Sequence, residues 1–306
     1  KESDGQVPGC APVFVFLAGA AAFLYGLRQG DTKKTARFLW TRGVWLIFVE
    51  LAIVNLGLSF DIHYSFHILQ VIWAIGISMI CLSALIRLPQ KALLAFGLLV
   101  VAGHNLLDGI TFQGHGPLDI MWYLLHQQNL LVISPDSVVL IAYPVLPWIG
   151  VMTLGYVFGS LYDPGFDAMR RKALLWKMGL GAVALFFLLR TFNWYGDPAH
   201  WAPQSSFAFS VISFFNTTKY PPSLVYLCMT IGPALLFMYW AEGKNFRSQN
   251  FFSTIGRVPF FYYVIHFFVA HLIGELGVLY AGRPWSDGVL SAQNFLNPRL
   301  ADYGYS

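Results

Sequence analysis

Charge is what this chain has least of. Aspartate, glutamate, lysine and arginine supply 11% of its 306 residues while hydrophobic residues supply 57%, and a soluble domain carries about a quarter charged residues. That balance excludes an ordinary soluble domain and leaves an integral membrane protein. Cysteine is nearly absent too: Cys10, Cys81 and Cys228 stand apart with no CxxC spacing. They support neither a disulfide framework nor a zinc knuckle, and Cys81 and Cys228, inside apolar runs, read as small buried hydrophobes. A nucleotide-binding glycine loop, a GxSxG elbow and any kinase or ATPase signature are missing as well. Chemistry here must use a substrate activated elsewhere, or be a translocation. The +4 net charge shows no basic residues interleaved with aromatics on one face, so no nucleic-acid partner is expected.

What the chain does have is apolar length. A membrane helix needs roughly 20 mostly apolar residues, and about eight such runs are present: Cys10–Leu27, Phe38–Phe60, Phe66–Leu88, Lys91–Leu107, Val138–Leu161, Leu174–Phe192, Pro222–Trp240 and Pro259–Tyr280. They are hydrophobic all round, with Gly and Pro inside, and lack the alternation of membrane β-strands. The expected fold is all-α: one polytopic helical bundle, with no soluble domain or internal repeat. Arg28–Arg42, Arg87–Lys91, Arg170–Lys177 and Lys244–Arg257 hold 14 of the 19 basic residues, which predicts a cytoplasmic face for them. Residues 61–65 and 105–137 contain no Lys or Arg, and 190–222 only Arg190 and Lys219; these segments are expected on the opposite face.

The two long segments on that face carry the polar chemistry, and loops of about 30 residues are usually functional or structured. His63, His67, His104, His115, His126, His200 and His271 lie in or near non-cytoplasmic segments. "GHNLLD", residues 103–108, is the strongest of these sites. If the helix continues one turn, Asp108 falls at i+4 from His104, and a carboxylate on one ring nitrogen makes the other a better base. The alternative is ordinary helix-end chemistry, with Asn and Gly favouring the left-handed cap and His the negative end of the dipole. No metal is expected, since only "HYSFH", residues 63–67, offers an i, i+4 histidine pair and spacing fixes no third ligand. Glu50, Arg190 and His266 are ionisable groups inside apolar runs, functional by default in a membrane.

Seven blocks taken in order resemble a known family: "CAPVFVFLAG" (10–19), "RGVWLIFVEL" (42–51), "GHNLLD" (103–108), "YPVLPWIGVMTLGYVFG" (143–159), "NWYGDP" (193–198), "TKYPPSL" (218–224) and "GRVPFFYYVIH" (256–266). They look like the bacterial branch of the heparan-α-glucosaminide N-acetyltransferase catalytic-domain family. The resemblance implies a single membrane-embedded acyltransferase-like domain over 1–306, lacking a flanking helix at each end, in the bacterial cytoplasmic (inner) membrane. It implies transfer from cytosolic acetyl-CoA, or another acyl-CoA, to an amine or hydroxyl of a sugar or glycan on the far side, and leaves oligomerisation open. The chain departs from the pattern at one point: in the lysosomal branch the catalytic histidine precedes the "VFVFLAG"-like block, and "KESDGQVPGC" has none.

On that reading Arg42 and Arg257 hold the CoA phosphates, and His104 with Asp108 deprotonates the acceptor. Asn105, Tyr195 or Lys219 stabilises the thioester oxyanion, Asp197 orients the sugar or a histidine, and transfer is direct. The rivals are a transporter or flippase working through Glu50, Arg190 and the histidines, and a membrane scaffold without catalysis.

Overall fold

The computed structural model describes residues 11–244 and 258–296; Cys10 and Arg257 lie outside the described residues. The chain is mostly helical. Among the described residues six helices are long and apolar enough to cross a membrane: α1 (Ala11–Gln29), α2 (Thr32–Ser59), α4 (Gln90–Leu107), α7 (Ala168–Phe192), α9 (Leu224–Ala241) and α10 (Pro259–Tyr280). Two apolar helices are shorter, α3 (Val71–Leu85) at 15 residues and α6 (Leu146–Gly159) at 14. Two helices lie between the long ones, α5 (Pro117–Leu125) and α8 (Phe207–Phe215).

The helical build holds, the count of about eight membrane runs is approximate, and one small sheet accompanies the helices. The runs Phe66–Leu88 and Val138–Leu161 each open as a strand: β1 (Phe66–Leu69) precedes α3, and β3 (Ser137–Ile141) precedes α6. With β2 (Asn129–Ser134) they form a sheet of order β1-β3-β2, with β1 parallel to β3 from Phe66↔Val138 to Leu69↔Ile141 and β2 antiparallel to it. Pro144 and Pro147 explain the second break. Proline disfavours helix in the residue before it and is tolerated in a helix's first turn, and α6 indeed begins at Leu146 with Pro147 in that turn. The β-branched run "SVVLI" ahead of it suits a pleated strand.

The described residues fall into two compact units. The first contains 11–44, 74–128 and 143–243, and the second 45–73, 129–142 and the described residues from 244 onward.

In the first unit α6 is the central element. Trp148, Val151, Met152, Thr153 and Phe158 are all buried, as expected of a helix hydrophobic all round. It packs against α1 and α4, and α7 pairs with α9. Without polar contrast between helix faces, close backbone approach has to supply the packing, and small residues permit it. A Cβ on Gly155 would stand 2.0 Å from the Phe16 carbonyl oxygen, and one on Gly19 2.1 Å from that of Met152. Gly155→Ala is therefore expected to cost about 1–3 kcal/mol by overpacking. Gly181→Ala, which meets nothing within 4 Å, should be neutral or slightly stabilising because alanine is the better helix former. Thermal unfolding in detergent compares the two.

In the second unit the carboxylate of Glu50 links two helices. It is fully buried in a π-helical stretch, Val49–Val54, and its Oε1 accepts the Gln70 N–H at 3.0 Å, at the start of α3. Asn55 serves as a surrogate strand neighbour for β1, with Ile68 N–H donating to its Oδ1 at 2.6 Å and its Nδ2 donating to the Ile68 carbonyl at 3.1 Å. In α10, His266 Nδ1 bonds the Tyr263 carbonyl, and His271 Nε2 meets the buried Glu275 at 3.0 Å. The "HYSFH" pair is not on a helix: His63 sits in an exposed turn and His67 in β1.

Candidate active site

Helix α4 ends by tightening. Its last turn, His104–Leu107, is 3-10, and that change of pitch decides which side chains meet. At three residues per turn, positions i and i+3 eclipse each other, so Asp108 aligns with Asn105 instead of His104. Asn105 Nδ2 donates to Asp108 Oδ2 at 2.8 Å. The pairing of His104 with Asp108, expected from a continuing α-turn, is replaced by a bond from Asp108 Oδ1 to His126 Nε2 at 3.1 Å.

His126 is delivered by the capped end of α5, where its N–H donates to the Trp122 carbonyl at 2.8 Å. The loop between α4 and α5 is pinned at three further points. Gln127 exchanges two hydrogen bonds with the Phe112 backbone, both 2.9 Å; Trp122 Nε1 donates to the Ile110 carbonyl at 3.0 Å; and Tyr123 OH donates to Gly114 at 2.8 Å. Trp122 also packs edge-on against the His126 ring at 5.4 Å between centroids. His104 stands at 5.6 Å from the His126 ring. His104 and His126 are 2% and 3% exposed. One potential ligand atom from each of His104, Asp108 and His126 lies within 4.8 Å of the others.

The second polar segment supplies the opposite wall. Arg190, at the end of α7, donates to four backbone carbonyls: Phe214 (2.7 Å), Ala199 (2.6 Å), Ser213 (2.9 Å) and Asn216 (2.6 Å). Its neighbour Asp197, at 3.7 Å, accepts from Ala199 N–H, Thr218 N–H, Thr218 Oγ1 and Ser223 Oγ. Ser223 caps α9 through Tyr226 N–H at 3.1 Å. Asn105 Oδ1 accepts Leu224 N–H at 3.0 Å, so one amide joins the end of α4, the start of α9 and Asp108.

Asp108 and His126 open onto a cavity of about 290 Å³ whose wall also includes Thr111, Gln128, Thr218 and Tyr220. The other sequence-level candidates distribute around it. Asn105 braces Asp108 from behind. Tyr195 donates its hydroxyl to the Ala102 carbonyl, and burial, with the charge of Asp108, pushes its phenol pKa up; its proton is committed to the backbone. Asp197 is an anchor inside the loop. Lys219 falls between the wall residues Thr218 and Tyr220 without lining the cavity. Arg42 is exposed on α2. Sequence reasoning counted His126 among the histidines of this face but did not place it in the site, because nothing in the spacing of 18 residues from Asp108 announces the contact. Its position beside the aromatic "MWYLLH" segment was the available signal.

Long apolar helices and a group of titratable side chains beside a cavity define a polytopic helical membrane protein with the makings of an enzyme site. A family model described as heparan-alpha-glucosaminide N-acetyltransferase, catalytic, matches residues 7–191, and the chain belongs to that family, which suggests a membrane acetyltransferase. No curated protein matches it, and no solved structure does.

Proposed function

We propose that this protein transfers an acyl group, acetyl in the first instance, from acyl-CoA to an amine or hydroxyl of a sugar or glycan held in the cavity beside Asp108 and His126. The observation that carries this reading is the His126–Asp108 hydrogen bond on the cavity wall in a chain of an acetyltransferase family. A carboxylate on Nε2 fixes the tautomer and leaves Nδ1 as the nitrogen able to take a proton, the arrangement of a general base. Transfer is direct: the acceptor attacks the thioester carbonyl, its proton passes to the imidazole, and the CoA thiolate leaves and is protonated. Among the described residues the cavity wall carries hydroxyl and amide groups and no Lys or Arg, which suits a sugar's hydroxyls. The bias of Lys and Arg supports an acceptor on the non-cytoplasmic side and a cytoplasmic donor met by Arg42 and Arg257; a bacterial inner membrane is the setting that the resemblance to the bacterial branch implies.

The test is transfer of label from radiolabelled acetyl-CoA to a panel of amino sugars and glycans by the full chain in liposomes. A labelled glycan supports the reading. Counterflow of unmodified solute without product replaces it with transport, and neither activity leaves the scaffold reading.

A further inference from the structure

We propose that His104, Asp108 and His126 together bind one divalent first-row transition-metal ion, with zinc the best match. Three features of the cluster carry this. The first is geometric. Asp108 Oδ1 and His126 Nε2 are already 3.1 Å apart, and one His104 nitrogen closes the set within 4.8 Å. Zinc bonds of about 2.0–2.2 Å to nitrogen and oxygen place tetrahedral ligands about 3.4 Å apart, so side-chain rotation over little more than an ångström completes the set.

The second is an unanswered requirement. His104 is 2% exposed, yet neither of its ring nitrogens has a hydrogen-bond partner among the described residues, and His126 Nδ1 has none either. A buried polar atom without a partner costs about 1–3 kcal/mol. A shared cation meets the need of the imidazole that no protein group answers.

The third is the surroundings. Asn105 holds Asp108 Oδ2 at 2.8 Å and leaves Oδ1 for the ion, an outer-shell bond of the kind that orients ligating carboxylates. Asp108 and His126 face the cavity, so three protein ligands leave a fourth position toward the acceptor, as in catalytic rather than structural zinc sites. Two imidazoles and one carboxylate select against calcium and magnesium, which want more oxygen ligands. This inference shares residues with the proposed transfer site but does not require transfer to occur. A bound ion would supply positive charge that favours the deprotonated acceptor, in place of the proton acceptance assigned above to the free His126 ring.

The test uses the full chain in detergent, stripped with EDTA and titrated with Zn²⁺ by calorimetry and with Co²⁺ by visible absorption. One equivalent of Zn²⁺ with a tetrahedral Co²⁺ spectrum is expected. Binding should fall by more than about tenfold, the loss that even an outer-shell partner causes, in His104→Ala, His126→Ala and Asp108→Asn, and stay unchanged in His115→Ala and His200→Ala. Should an alanine variant fail to fold, His104→Gln and His126→Gln take its place. Absence of stoichiometric binding to the wild type overturns the proposal, as does binding that survives all three cluster substitutions. Metal binding without labelled product would retain the site and refute the acyltransferase reading; labelled product insensitive to EDTA, without binding, would do the reverse.

Discussion

Replacing His126 with alanine is expected to lower acyl transfer by about 10²- to 10⁴-fold, the contribution of a positioned acid–base group, without a matching loss of stability. Asp108→Asn should act similarly, because an amide cannot supply the charge that holds the ring in its basic tautomer. Both residues line the cavity and share one hydrogen bond of 3.1 Å. His115 and His200 are exposed and outside the cavity wall, so their alanine variants should retain transfer. Initial rates with saturating acetyl-CoA, read beside thermal unfolding of each variant, separate a chemical from a structural effect. Wild-type rates in both His126→Ala and Asp108→Asn would remove the cavity from the mechanism.

Arg190→Ala should do the opposite: a large loss of stability from a residue that does not line this cavity. The side chain is 2% exposed and donates to four carbonyls of the segment between α7 and α9, while Asp197 sits 3.7 Å away. Removing the guanidinium leaves those carbonyls short of donors and a buried carboxylate without its cation, at a cost of about 3–5 kcal/mol. Arg190→Lys should rescue only a small part, since one ammonium cannot reproduce a planar fork directed at several acceptors. Unfolding in detergent, with the protease sensitivity of the 193–222 segment, measures both variants. An Arg190→Ala protein as stable as wild type but unable to move solute would favour a transport role for this arginine.

Arg190 and Glu50 mark how far the sequence could be read. Arg190 and Glu50 stood out as charges in apolar runs, and both proved buried with internal partners. What those partners were could not be read, because they are backbone groups: loop carbonyls for Arg190 and the Gln70 N–H for Glu50. The "GHNLLD" hexapeptide was legible as a concentration of polar groups, and its internal pairing differs from the one expected. Spacing arguments assume 3.6 residues per turn, and the tightened turn at His104–Leu107 exchanges Asn105 for His104 as the neighbour of Asp108. The two runs that open as strands have a related cause, since an apolar stretch of four or five residues fits either element until a partner strand decides.

The amino-acid sequence by itself determined the solvent of this protein, its predominantly helical build, its family and the segments in which polar groups concentrate. Those properties follow from composition, local order and the length of apolar runs, which need no knowledge of distant contacts. The tertiary structure alone decided that His126, 18 residues beyond Asp108, completes the cluster and that Asn105 ties it to the start of α9. It also decided that Asp197 and Arg190 serve the loop and do not face the cavity. Each of these depends on which helix ends converge and on the pitch of a single turn, and those are settled by packing between elements far apart in the chain.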